Sequence, residues 1–194
     1  MSEEQLYNRL GWKYKAEVER KKGEFVKTDN LRTQLSNISR LLMDGRRWGL
    51  FIRGVVGNGK TTAVNALMHT INSLTKEEYF RGEVFDWDWM KVLNARDMIN
   101  IFVNDNERFQ NMKRNTWLVI DDLGQDPVQV MVYGTFFYPF LELIDYRYEH
   151  RLPTVIVSNL KEKELKERYN DPRFSDRFNE MFNATTFRDK SFRV

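Results

Sequence analysis

No cysteine occurs anywhere in the 194 residues, so disulfides and zinc-thiolate sites are ruled out, and the chain fits a reducing, cytoplasmic setting. Histidine occurs only twice, as His69 and His150, too sparsely to assign a metal role. No apolar run is long enough to cross a membrane: the longest uncharged stretch, Pro127 to Leu141, is interrupted by Gly134, Pro139 and polar residues. The start, Met1-Ser2-Glu3-Glu4, lacks the basic-then-apolar order of a secretory signal. Charge of one sign is also scarce in net terms. The 31 basic residues nearly cancel the 28 acidic ones to leave +3, which permits nucleic-acid binding without arguing for it. Neither an internal repeat nor a low-complexity segment is visible. Against these absences, a hydrophobic share of 41% is enough to bury a core, and the length suits one α/β domain with a modest appendage.

The most informative stretch is Gly54-Val55-Val56-Gly57-Asn58-Gly59-Lys60-Thr61, which fits G-x-x-x-x-G-K-[ST], the phosphate-binding loop of nucleoside triphosphatases. Gripping a triphosphate requires many backbone N–H groups at close range, and glycine permits both the approach and positive φ. Asn58 is expected to take a left-handed turn, which asparagine tolerates best among non-glycine residues. Lys60 is placed to bridge the β- and γ-phosphates, Thr61 to sit on Mg²⁺, and Thr62 to add a helix N-terminal donor. The context agrees. Leu50-Phe51-Ile52 reads as a strand, and Val64, Leu67, Met68 and Ile71 recur at helical spacing from about Lys60.

Around this loop the pattern alternates strands and helices. Residues 3–22 are predicted helical, with Gly23 as a stop. A second helix is predicted with Asp29 as cap and Gly45 as closure. Strands are predicted at Leu50–Arg53, Lys91–Asn94, Trp117–Ile120, Thr154–Val157 and Ala184–Phe187, and a long helix near Pro139. Apolar strands without alternation imply a parallel five-stranded sheet covered on both faces. The expected division is an N-terminal helical segment, 1–30, and a nucleotide-binding core, 31–194. The aromatic run Tyr133, Phe136, Phe137, Tyr138 and Phe140 is read as core rather than a binding platform, with part of it left for a subunit interface.

Further polar groups are expected where parallel strands end. Trp117-Leu118-Val119-Ile120 is followed by Asp121 and Asp122. Asp121 is placed to hold Mg²⁺ beside Thr61, and Asp122 to orient or deprotonate a water. Asn159, after the fourth strand, can donate to a γ-phosphate and accept from that water. Arg173 and Arg177 share one face of a helix at i, i+4. An arginine supplied in trans stabilises charge on a transferred phosphoryl group, whereas spacing by itself favours local pairing of Arg177 with Asp176 or Glu180. Arg46-Arg47-Trp48 and Lys113-Arg114 are basic clusters beside aromatics that suit DNA contact but are more often solvated surface.

Taken together, Ile120-Asp121-Asp122-Leu123-Gly124 resembles the Walker B box of the DnaC-type helicase loaders and the related IstB transposition ATPases, both of the AAA+ superfamily. The resemblance continues through Leu143–Tyr148, Leu152-Pro153-Thr154, Ser158-Asn159-Leu160, Arg173–Phe178 and Ser191-Phe192-Arg193, and upstream through Trp48–Gly54 and Asn94–Met98. It implies an AAA+ P-loop fold without a separate lid domain. It also implies ATP and Mg²⁺ as cofactors, Asn159 as sensor 1, and Arg177 as the arginine finger, with Arg173 the weaker match. A DnaC-like replication ATPase would assemble into a ring or spiral on DNA, single-stranded by preference, with a replicative helicase as partner. An IstB-like helper would instead bind duplex DNA and a transposase. A small-molecule kinase also uses a phosphate loop, but Asp-Asp-Leu-Gly and the late Ser-Asn argue against it. A non-hydrolysing nucleotide switch is the remaining alternative.

Overall fold

The computed structural model describes residues 1–21, 23–77 and 91–188; the Ser191-Phe192-Arg193 match lies outside them. Helix α1 (Glu3–Arg20) starts with a capping box, in which Gln5 N donates to Ser2 Oγ at 3.1 Å and Ser2 N to Gln5 Oε1 at 2.7 Å. Helix α2 (Asp29–Met43) is capped one residue earlier than expected. Thr28, not Asp29, is in extended conformation, and its hydroxyl accepts from Leu31 N at 3.0 Å. Then follow β1 (Gly49–Gly54), α3 (Lys60–Glu77), β2 (Lys91–Asn94), α4 (Ala95–Asn104), α5 (Asn106–Arg114) and β3 (Leu118–Leu123). The chain continues with a hairpin of β4 (Val130–Val132) and β5 (Thr135–Phe137), α6 (Pro139–Glu149), β6 (Thr154–Ser158), α7 (Glu162–Tyr169), α8 (Pro172–Met181) and β7 (Phe182–Phe187).

Five strands form one parallel sheet in the order β2-β3-β6-β1-β7. Successive side chains along a strand point to opposite faces. Phe51, Ile120 and Ile156 therefore join one buried cluster, with α4 to α8. Leu50, Ile52, Val119, Val155 and Val157 join the other, with α1, α2 and α3. Three layers result, as expected for a sheet apolar on both faces.

The first two helices belong to that second layer. Leu10 and Tyr14 of α1 and Leu31, Leu35 and Ile38 of α2 are buried in the same cluster as the α3 residues Ala63, Val64 and Leu67. Glu17 is buried too. It accepts from Asn65 of α3 at 3.0 Å and from Arg20 at 2.8 Å. The Arg20 guanidinium, aided by Asn65 and Lys21 against the effect of burial, holds its carboxyl down at about 2.

At the amino-terminal edge of the sheet, Arg147 of α6 is fully buried. Its guanidinium donates to the carbonyls of Lys113 (3.0 Å), Asn115 (2.8 Å), Thr116 (3.4 Å) and Pro153 (2.6 Å) and to Thr154 Oγ1 (2.7 Å). One side chain thus ties the entries of β3 and β6 to α6.

Two expectations are corrected. The aromatic run is not uniformly core: Phe140 is buried and Phe137 packs on Phe102, but Tyr133, Phe136 and Tyr138 are exposed. Tyr133 and Phe136 sit on the β4–β5 hairpin, whose antiparallel pairing turns Met131 and Phe136 to the same outward face, and Tyr138 follows it as the N-cap of α6. Local hydrophobicity could not distinguish the two faces of a hairpin with a single packed side. In the basic clusters only Lys113 departs from solvated surface, being buried against Glu142 at 2.7 Å; Arg46, which pairs with Asp44, Arg47, which donates to Phe182 O at 2.7 Å, and Arg114 are exposed. Both clusters precede strands, so they lie at the sheet edge opposite the phosphate loop.

Candidate nucleotide site

The strands β1, β3 and β6 are adjacent, and their carboxyl ends carry the phosphate loop, the acid pair and Asn159. In an open parallel sheet this is the edge at which ligands bind. Gly54 ends β1 with φ of +157, and a Cβ there would stand 2.4 Å from Asn58 Nδ2 and 2.6 Å from Phe187 O, so only glycine fits. Gly57 and Gly59 follow at φ of +82 and +89. Asn58 is absent from the positive-φ residues, contrary to the expected left-handed turn. Its role is played by the side chain, buried and donating to Phe187 O at 2.8 Å, which pins the loop to β7.

Lys60 is 5% exposed and opens α3. Its ammonium donates to Gly54 O and Val55 O, both at 2.7 Å, to Asn159 Oδ1 at 2.9 Å, and more weakly to Asn58 Oδ1 at 3.3 Å. Beside it, Thr61 Oγ1 donates to Asp121 Oδ2 at 2.9 Å, while Asp121 Oδ1 accepts from Asp122 N at 2.9 Å. Burial raises the Asp121 pKa, and the Asp122 charge adds to this. The Thr61 and Asp122 N–H bonds and the Lys60 charge oppose the rise.

The acids lie inside β3, which runs to Leu123 rather than ending at Ile120. Its register against β6 shifts between Ile120 and Leu123, and Asp122 takes φ of +55. A bulge of this kind re-aims side chains beside an active site. The hydroxyl of Thr61 and the carboxylate of Asp121 form a hard-oxygen pair suited to Mg²⁺, which keeps much of its water and takes few protein ligands. Among the described residues no group of three or more His, Cys, Asp or Glu side chains could hold a metal by itself.

Thr62 follows in the first turn of α3, half-buried. Arg173 is exposed at the start of α8. Arg177 is 19% exposed and reaches across to α6, pairing with Asp145 and, at 3.6 Å, Glu149, with its guanidinium 5.1 Å from the Tyr148 ring centre. These partners replace the Asp176 and Glu180 suggested by spacing, because packing of α8 on α6 brings more distant acids closer. Sequence reasoning passed over Asp126 and the Ser158 hydroxyl. Asp126 had a signal, a third acid close behind the pair, but acids after a strand read equally well as turn residues.

No family model and no curated protein matches the sequence. Solved structures do. The DnaC helicase loader is 18% identical, with a TM-score of 0.60 over 84% of this chain and 93% of its own. DnaI gives the same identity and TM-score over 84% and 87%. The replication initiator DnaA, solved with AMPPCP and single-stranded DNA, is 19% identical with a TM-score of 0.53 over 82% of this chain, which spans 47% of it. At such identities the likeness is one of fold: the chain shares with these proteins an α/β architecture, here a five-stranded parallel sheet with helices on both faces.

Proposed function

We propose that the chain is an ATP-binding and ATP-hydrolysing replication ATPase, a helicase loader that acts on DNA through ATP-controlled self-association. The observation that carries this reading is the convergence of three strand ends: Lys60 bonds Asn159 while Thr61 bonds Asp121. In this reading the loop N–H groups from Gly57 to Thr62 and the Lys60 ammonium bind the phosphates. Thr61 and Asp121 hold Mg²⁺, which neutralises charge on the phosphate oxygens. Asp122 orients the attacking water and takes its proton, and Asn159 donates to the γ-phosphate while accepting from that water.

The missing positive charge comes from Arg177 of a neighbouring copy, with Arg173 in support. Arg177 must then exchange Asp145 and Glu149 for phosphate oxygens, so association and hydrolysis are linked. For DNA, the exposed rings of Tyr133, Phe136 and Tyr138 offer stacking surfaces to unpaired bases. For a helicase, residues 1–30 present the outward face of α1, where Trp12 is 82% exposed, and Val26 beyond it at 59%.

The test is ATPase rate per subunit against protein concentration, with and without single-stranded DNA. The rate should climb with concentration, rise further with DNA, and fall by roughly 10³-fold for Arg177→Ala. A flat rate with Arg177→Ala fully active removes the trans finger. A preference for duplex DNA moves the reading to a transposition helper.

A further inference from the structure

Asp126 is 1% exposed and has no place among the groups assigned to the nucleotide. A carboxylate withdrawn from water is costly unless its oxygens are engaged. Here both are. Oδ1 accepts from Gly124 N at 2.8 Å, Oδ2 accepts from the Tyr169 hydroxyl at 2.9 Å, and the residue's main-chain oxygen accepts from Arg168. Gly124 directly follows the β3 segment that carries the acids. Tyr169 closes α7, the helix that follows Asn159. Asp126 therefore joins the acid-bearing segment to the segment bearing Asn159.

The irregularity of β3 gives this junction its importance. Ile120 pairs with Ile156 and Leu123 with Ser158, so three steps on β3 face two on β6. The ladder to β6 is interrupted where Asp121 and Asp122 sit; Asp121 keeps its register with Asn94 of β2, whereas the placement of Asp122 is left to other contacts. Ser158 supplies one: its hydroxyl donates to Leu123 O at 2.6 Å and accepts from Leu160 N at 3.0 Å. Leu160 supplies packing, since a Cβ on Gly124 would stand 2.6 Å from its Cδ1. Asp126 adds the longest reach, to the far end of α7.

We propose that Asp126 is a positioning residue for hydrolysis: by holding the Gly124 amide and the Tyr169 hydroxyl together, it fixes the bulged acid pair relative to Asn159. This rests on the ATPase reading above. Misplacing reacting groups by about 1 Å can cost up to roughly a hundredfold in rate. Tyr169→Phe keeps the packed ring and deletes one bond; Asp126→Asn keeps shape but leaves one acceptor oxygen for two donors. Well below each variant's melting temperature, both should lower kcat by about tenfold or more with nucleotide affinity within about twofold. The double variant should be little worse than Asp126→Asn alone, because the residues act as a unit. An unchanged kcat per folded molecule, or a parallel loss of affinity, overturns the proposal. If the unaltered protein binds ATP but shows no turnover with DNA, it is the ATPase reading that has failed. The tether is then read by hydrogen exchange. Tyr169→Phe should speed exchange at amides 122–125 as well as in α7, and a change confined to α7 refutes it.

Discussion

The two edges of the sheet each bury a cation among neutral oxygens, and they use it in opposite ways. At the amino-terminal edge Arg147 spends its guanidinium on four carbonyls and a hydroxyl. Burial pulls its pKa down to about 9, still high enough to keep it charged at neutral pH. At the carboxyl edge Lys60 faces two carbonyls and two asparagine oxygens. Arginine's planar fork matches a fixed set of acceptors. The lysine ammonium sits on a flexible stem and can trade one acceptor for another. The first is a clasp with no reason to open; the second satisfies itself with bonds that, in the proposed function, phosphate oxygens replace.

That contrast can be broken at either end. The largest expected effect is that of Lys60→Ala, which should cut turnover by about 10²–10³-fold, as loss of a group aimed at developing charge does. A thermal melt should barely move, since the deleted charge was itself costly to bury; an unfolded Lys60→Ala protein would erase the distinction between the edges. Next comes Arg147→Lys, which keeps the charge but cannot serve five acceptors. It should lower unfolding free energy by roughly 3 kcal/mol in a urea titration while leaving the rate per folded molecule intact. A loss of activity without a loss of stability would place Arg147 in the functional machinery.

The smallest concerns Asp121. Its folded pKa is raised above the unfolded value, chiefly by burial, so between the two values the folded state binds more protons and stability falls as pH rises. Asp121→Asn should therefore melt higher near neutral pH, by about 2–4 °C for each kcal/mol recovered, and the gain should vanish in acid below the unfolded pKa. Its Mg²⁺-dependent turnover should be lost at every pH. A gain independent of pH would mean that something other than charge burial is relieved.

Much of the carboxyl edge was legible in the sequence because the phosphate loop is contiguous. Its glycines, Lys60 and Thr61 act at fixed offsets on one strand–turn–helix unit. The acid pair and Asn159 were legible through a rule about strand ends rather than through contacts. Arg147 appeared only inside a resembling motif, since nothing in Asp145-Tyr146-Arg147-Tyr148 says which of its charges is buried. The partners of Arg177 were misjudged for a related reason: Asp176 and Glu180 are close in sequence, but α8 packs against α6. The hairpin aromatics were read as core because apolar content does not reveal which side of a short ribbon meets solvent.

The sequence by itself determined the phosphate loop, the five parallel strands and the residue types at their ends, because these follow from local periodicity and backbone geometry. Only the tertiary structure decided that α1 and α2 share the core, that Asn159 meets Lys60, that Asp126 spans two loops, and that Arg147 is buried among carbonyls of distant segments. Those depend on contacts between segments far apart in the chain, which no local pattern encodes.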